Sequence, residues 1–479
     1  MKSIVLHSLK WVAIGKILGQ SVRWLTTIFT LRFLFPEDYA VIALSSFFTS
    51  LLWAFSKNGI AAALIREKDV DDDILGQFYT LTIIAHTSLF LLLQLLAPVL
   101  AGVYDDPRLE DVIRVSSLTF LISLIGFMSG TMLNKEMRFK KLSMVDAASE
   151  SLGALSTVFM AWYGLGYWSI VFGVLAMETV RQTGYLIRAG KWVRPGKLTS
   201  KIKGILDFSW KAALQATVGY SIFNLDIAIA GLYLSTTDLG FYQFAAVLAM
   251  MPAVKVLPLL RQVALPVYSK IQDQASQIEY YFLKSQRMSA LLFVPVFWGV
   301  AATANTMVPA FFGEKWVPAA MIITLYCLSM PMRSLEQLFG PVLKSLNKMN
   351  VIIVNTIIFA AILIPGFYIG AQFGSGGMAL SWLFSFFISF MIASYRSCRC
   401  LNIRFKRFIG AVYKPHLIGL CMLTATWWLG QYLMQSMTPW LVFIIQVFTG
   451  GVIYTGLSLL CARKESMELI NLVRNRNSK

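Results

Sequence analysis

Apolar windows of about twenty residues or more recur along almost the whole chain, separated by short charged or Pro/Gly-containing breaks. A helix rising about 1.5 Å per residue crosses the roughly 30 Å bilayer core in such a window. A backbone in lipid must also satisfy its own hydrogen bonds, which leaves helices as the reading for windows this long. The windows fall near 9–34, 38–65, 74–103, 109–133, 142–163, 166–187 and 206–233, then 239–260, 287–312, 317–342, 350–370, 376–395, 408–433 and 439–462. They predict fourteen transmembrane helices in an all-α polytopic membrane protein. Composition agrees: 57% of the 479 residues are hydrophobic and 14% charged, against about 25% charged in soluble domains.

A net charge of +18 would suit a nucleic-acid binder, but the basic residues are divided among the breaks instead of forming one patch with interleaved aromatics. No nucleic-acid partner is expected. Cytoplasmic loops carry an excess of Lys and Arg, and the cationic breaks at 135–141, 188–203 and 396–407 fall on one side of the predicted topology. Thirty of the 42 basic residues and both termini lie on that side, with only Arg32, Arg108 and Lys315 on the other and nine within spans. Both termini are therefore expected in the cytoplasm. The first apolar segment is long and internally charged, with no small-residue cleavage site behind it, and is expected to stay attached. Five cysteines without framework spacing predict no disulfide, and Cys398 and Cys400 without nearby histidines predict no metal site.

The chain also resembles itself at an offset of about 200 to 211 residues. "WVAIGKILGQS" from Trp11 parallels "WKAALQATVGYS" from Trp210, and "PEDYA" at 36–40 parallels "TTDLG" at 236–240. "LAPVLAGVYDDP" parallels "MVPAFFGEKWVP" through Pro98 and Pro309, and "GLG" at 164–166 parallels "GSG" at 374–376. The expected organisation is a six-helix lobe over 1–191, a basic cytoplasmic linker over 192–205, a second six-helix lobe over 206–400, and two appended helices with a basic tail over 401–479. Six crossings return the chain to its starting side, so the copies are parallel repeats with a cleft expected between them.

Two stretches carry a family resemblance. "NLDIAIAGLYLSTTDLGFYQFAAVLAMMPA" at 224–253 and "APVLAGVYDDPRLEDVIRVSSLTFLISLIGFMSGTMLNKEMRFKKLS" at 97–143 resemble the bacterial polysaccharide flippases of the Wzx type, within the multidrug/oligosaccharidyl-lipid/polysaccharide exporter superfamily. The resemblance runs over roughly residues 5 to 400. It implies two six-helix bundles in a V-shaped arrangement and export of lipid-linked oligosaccharide repeat units across the inner membrane for O-antigen, exopolysaccharide or capsule assembly. Membrane lipid, a polysaccharide polymerase and the chain-length machinery are the further partners it implies.

Charged residues within the spans are the candidate site. Lys16 and Arg23 lie two helical turns apart and share a face with Gly19 and Gln20. Each uncompensated cation near a bilayer centre costs about 2.5 to 3.5 kcal/mol. Lys57, Arg181, Lys211 and Arg333 fall in the cytoplasmic halves of their predicted helices, where a cytoplasmic pyrophosphate would enter. Two plainer readings stand beside substrate binding: snorkelling to the interface for Lys57 and Lys211, and intrahelical pairing with Glu178 and Glu336 for Arg181 and Arg333. Asp146 and Glu150, one turn apart, and Asp226, which matches the family pattern, are candidates for H⁺ or Na⁺ coupling or for pinning helices. No cofactor is expected beyond such an ion, and no metal. A multidrug/cation antiporter of the same fold is the alternative. A membrane-embedded polymerase or ligase is disfavoured, because turns on the outer side such as "YDDP" and "MQSMTP" are short and lack histidine. The chain is therefore expected to be a transporter and not an enzyme.

Overall fold

The computed structural model describes residue 26, residues 28–67, 70–190, 192–199 and 203–463, and residues 465, 467 and 468. Among the described residues there is no strand. The chain divides into two compact units, Met1–Leu232 and Tyr233–Lys479. Eight described helices are long and apolar enough to cross a membrane, or nine when one bent pair is taken as a single span.

In the first unit, α1 (Pro36–Ser56) begins with proline at its first turn and Asp38 accepting the Phe35 backbone N–H at 2.8 Å. It runs through a π-helical turn at Lys57–Ala61 into the short α2 (Ala62–Arg66). The Lys135 ammonium donates to the Leu64 carbonyl at 3.0 Å and to that of Glu67. A cation there satisfies carbonyls that the helix end leaves unpaired. Helix α3 (Asp72–Val103) starts at Asp71, whose carboxylate accepts the Ile74 N–H at 2.7 Å.

The window predicted at 109–133 is broken into α4 (Arg108–Ser116), α5 (Leu118–Ser123) and α6 (Phe127–Lys135), with a 54° bend before α6. Two serine hydroxyls explain part of the break. Ser117 donates to the Arg114 carbonyl and Ser123 to that of Phe120, competing with the backbone ladder, and Gly126 then leaves helical geometry at φ −138°. Helices α7 (Phe139–Trp162) and α8 (Trp168–Ala189) follow, and α8 ends on the left-handed Gly190. Both are long enough to span, yet neither is among the eight apolar spans, and both carry charges in mid-helix. Helix α9 (Lys203–Tyr233) closes the unit.

The second unit comprises α10 (Thr236–Lys270), α11 (Ala275–Phe311), α12 (Ala319–Glu336), α13 (Phe339–Ser345), α14 (Met349–Ala371), α15 (Gly374–Cys400), α16 (Phe405–Leu433) and α17 (Pro439–Cys461). Its core is aromatic, with Trp316, Trp382, Tyr242 and Tyr326 fully buried.

Left-handed turns recur in register along the chain. Positive φ occurs at Asp105, Met137, Gly164 and Gly190, and again at Gly313, Asn347, Gly374 and Asn402, which lie 208, 210, 210 and 212 residues further on. Met137 and Asn347 are conspicuous because non-glycine residues adopt this geometry only at a cost. Each follows a broken helix: the 317–342 window is interrupted between α12 and α13 much as its counterpart is before α6. The same kinks in the same order give the internal similarity a backbone equivalent.

Candidate functional site

The first unit carries an open cavity of about 520 Å³, lined from α1 by Ser50, Trp53 and Ala54, from the π turn by Lys57 and Ala61, and from α2 by Ile65. Phe127, Gly130, Thr131 and Asn134 come from α6, Leu142 and Asp146 from α7, and Glu178, Arg181, Gln182 and Tyr185 from α8. The α8 residues sit at helical spacings of three and four, so one face of that helix supplies the polar wall.

That wall is a connected network. The Arg181 guanidinium donates to Glu178 and lies 3.6 Å from Asp146 through Nε, while the Tyr185 hydroxyl donates to Asp146. Gln182 donates through Nε2 to Glu178 at 3.1 Å. Glu150 lies within electrostatic reach of Arg181. Intrahelical pairing of Arg181 with Glu178 is thus present, and Asp146 joins it from α7. Lys57 is different: it is exposed and has no ion-pair partner among the described residues. A π turn commonly marks a place where a helix has been re-aimed for function. Here Lys57 opens the turn and lines the cavity, and Gly59 in the same turn lies so close to Ser209 of α9 that a Cβ would stand 3.0 Å from that carbonyl oxygen.

The lining also has an aromatic part, Trp53 and Phe127. Trp53 stacks on Phe120 at 5.2 Å and meets the edge of the fully buried His86, which is held between the hydroxyls of Ser56 and Ser123. These contacts fix the indole that faces the cavity. Ile60, Leu64, Leu75, Phe78 and Met128 pack with Phe127 into a buried apolar cluster, of which Phe127 reaches the cavity lining.

The structure therefore brings Lys57, Arg181 and Asp146 together at one cavity, with Glu150 nearby. The other candidates lie elsewhere. Lys211 is exposed on α9 and pairs with Asp207 at 2.6 Å, and Asp226 is buried in the same helix away from the cavity lining. Lys16 and Arg23 lie outside the described residues. Arg333 belongs to the second unit, where it is only 8% exposed. Pairing with Glu336 does not account for it: no carboxylate among the described residues is within ion-pair distance, and the guanidinium carbon sits 3.7 Å from the centre of the Trp382 ring. The intrahelical reading holds for one arginine and fails for the other, because Arg333 stacks on an aromatic face instead.

The polar residues that sequence reasoning passed over are Gln182, Tyr185 and Asn134. Their spacing relative to Glu178 and Arg181 was the available signal for the first two; Asn134 had none.

The family described as "Polysaccharide biosynthesis protein" matches residues 30–321, more than half of the chain. Teichuronic acid biosynthesis protein TuaB of Bacillus subtilis (strain 168) is 27% identical over 76% of this chain and 76% of its own. Lipopolysaccharide biosynthesis protein WzxC of Escherichia coli (strain K12) is 23% identical over 88% of this chain and 86% of its own. Among solved structures, the lipid II flippase MurJ in an inward closed conformation superposes with a TM-score of 0.75 at 16% identity, covering 95% of this chain and 99% of that one.

Proposed function

Because the chain belongs to the polysaccharide biosynthesis protein family, we propose that it carries polyprenyl-pyrophosphate-linked oligosaccharide repeat units across the bacterial cytoplasmic membrane. The cargo serves surface polysaccharide assembly, and transport proceeds by alternating access in a fourteen-helix fold of two six-helix lobes plus two helices. The chain acts as a transporter, not an enzyme. The observation that carries this reading is a cavity lined by Lys57, Arg181, Asp146, Glu178 and Gln182 within a unit of membrane helices. Ionisable groups within membrane segments are costly, and they are retained where polar cargo passes. Lys57, the exposed cation of the lining, is assigned to the pyrophosphate together with Lys16 and Arg23 of the preceding segment, while Arg181, already paired with Glu178, is assigned to the rest of the cargo. The names of the relatives support the same direction: one is a lipopolysaccharide biosynthesis protein, one a teichuronic acid biosynthesis protein and one a lipid II flippase.

The test is export of surface glycan in cells lacking their own transporter, normalised to membrane-inserted protein. The wild-type chain is expected to restore it, and Lys57→Gln to lower it by about tenfold, the effect of losing roughly 1.4 kcal/mol from a charge-assisted contact. Extrusion of cationic drugs without glycan export would instead place the chain with the antiporters of the same fold.

Both termini are assigned to the cytoplasm by the distribution of basic residues. In a cysteine-free background, a cysteine at Lys197 should react with an impermeant label only from the cytoplasmic side, and one at Ser436 only from outside. The reverse pattern would refute the orientation.

A further inference from the structure

We infer that the cavity of the first unit is a carbohydrate-binding site that reads neutral sugar hydroxyls, leaving the cargo's pyrophosphate to be held by other groups or at its edge. This rests on the reading of the chain as a carrier of lipid-linked glycan. Three observations support it.

The first is charge. The four ionised residues lining the cavity are Lys57, Arg181, Asp146 and Glu178, so their formal charges cancel. Arg181 is already engaged by Glu178 and flanked by Asp146. A site built chiefly for a multiply charged anion would not spend a guanidinium on two carboxylates, because their field opposes the anion.

The second is an unmet hydrogen bond. Gln182 is 5% exposed, and while its Nε2 donates to Glu178, its Oε1 is buried with no protein partner. Nε of the neighbouring Arg181 is likewise buried without a hydrogen-bond partner, so the wall holds an unmet acceptor and an unmet donor together, and buried polar atoms are rarely left this way. Phosphate oxygens offer no donor at neutral pH except the last proton of a monoester, whereas every free sugar hydroxyl is both donor and acceptor.

The third is the pairing of aromatic and polar groups in the lining. Trp53 and Phe127 stand in the lining together with Asn134, Gln182 and Asp146. A pyranose ring has the same division: apolar C–H faces that pack on aromatic rings, and a rim of hydroxyls that suits amides and carboxylates. At about 520 Å³ the space lies within the range of roughly 300–1,000 Å³ usual for small-ligand sites.

The experiment uses the full chain in nanodiscs and two probes: the neutral repeat-unit oligosaccharide freed of lipid and pyrophosphate, and inorganic pyrophosphate. Equilibrium dialysis with each labelled probe should show saturable oligosaccharide binding. Gln182→Met should weaken it by about tenfold, the loss expected for one buried hydrogen bond, and pyrophosphate binding should change by less than about twofold. Asn134→Leu, at an exposed lining position where folding is not at risk, should have the same selectivity. Equal loss of both probes, or no oligosaccharide binding by the wild-type chain, would overturn the sugar assignment. Glycan export by the wild-type chain in cells tests the transporter reading separately, so either result with export intact refutes this inference alone. Absence of export refutes both.

Discussion

Arg181→Met should lower the amount of membrane-inserted protein several-fold, whereas Arg333→Met should leave it near the wild-type level. Both residues are arginines within helices, Arg181 in mid-helix and Arg333 in a last turn, and their surroundings decide the difference. Removing Arg181 strands Glu178, whose side chain is 13% exposed, and withdraws the nearest cation from Asp146. Breaking a buried pair in this way costs about 3 to 5 kcal/mol, because the remaining charge stays desolvated. Changes even of about 1 to 2 kcal/mol alter cellular abundance several-fold. Arg333 has no carboxylate at ion-pair distance to strand, and Glu336, within its electrostatic reach, keeps the larger influence of Arg261. Its stacking on Trp382 is worth about 2 kcal/mol when desolvated, and removing the cation relieves a burial cost of about 2.5 to 3.5 kcal/mol. The two terms nearly cancel. Quantifying each variant in the membrane fraction checks the contrast, and adding Glu178→Gln to Arg181→Met should recover much of the lost protein. Equal loss for both arginines would show that the Arg181 network is not what sets its cost.

Gly130→Leu should abolish most export while leaving the protein inserted. Even a Cβ at Gly130 would stand 2.6 Å from Cδ2 of Tyr185. Since Tyr185 borders the cavity, its ring can yield only by turning into that space, giving up its hydrogen bond to Asp146 and filling the volume. Overpacking of this kind costs about 1 to 3 kcal/mol. Because the yielding side chain has room, inserted protein should stay within about twofold of wild type while export falls by at least about tenfold. Gly130→Ala should give a smaller effect in the same direction. Normal export by Gly130→Leu would mean that cargo does not use this cavity.

These contrasts also mark what the sequence could reveal. Membrane helices were legible because a bilayer accepts so few alternatives, and "GLG" and "GSG" marked two turns whose first glycines, Gly164 and Gly374, are both left-handed. The pairing of Arg181 with Glu178 follows from a spacing of three on one helix. Stacking of Arg333 on Trp382 does not, because those residues are brought together only by the packing of α12 against α15. The break before α6 was missed because hydrophobic windows ignore Ser117 and Ser123, whose hydroxyls compete for backbone carbonyls. The π turn that begins at Lys57 likewise has no composition of its own. Helices α7 and α8 read simply as spans, though three of the charges that make them less apolar than their neighbours, Asp146, Glu178 and Arg181, line the cavity.

The most direct test of the transporter reading uses the purified chain in liposomes that hold polyprenyl-pyrophosphate-linked oligosaccharide in both leaflets, with an impermeant glycosidase added outside. In protein-free vesicles only the outer-leaflet pool is cut. The account predicts that the inserted wild-type chain exposes the inner-leaflet pool as well, and that Gly130→Leu does so far more slowly. An inner-leaflet pool that stays protected, in vesicles shown to contain correctly inserted protein, would contradict it.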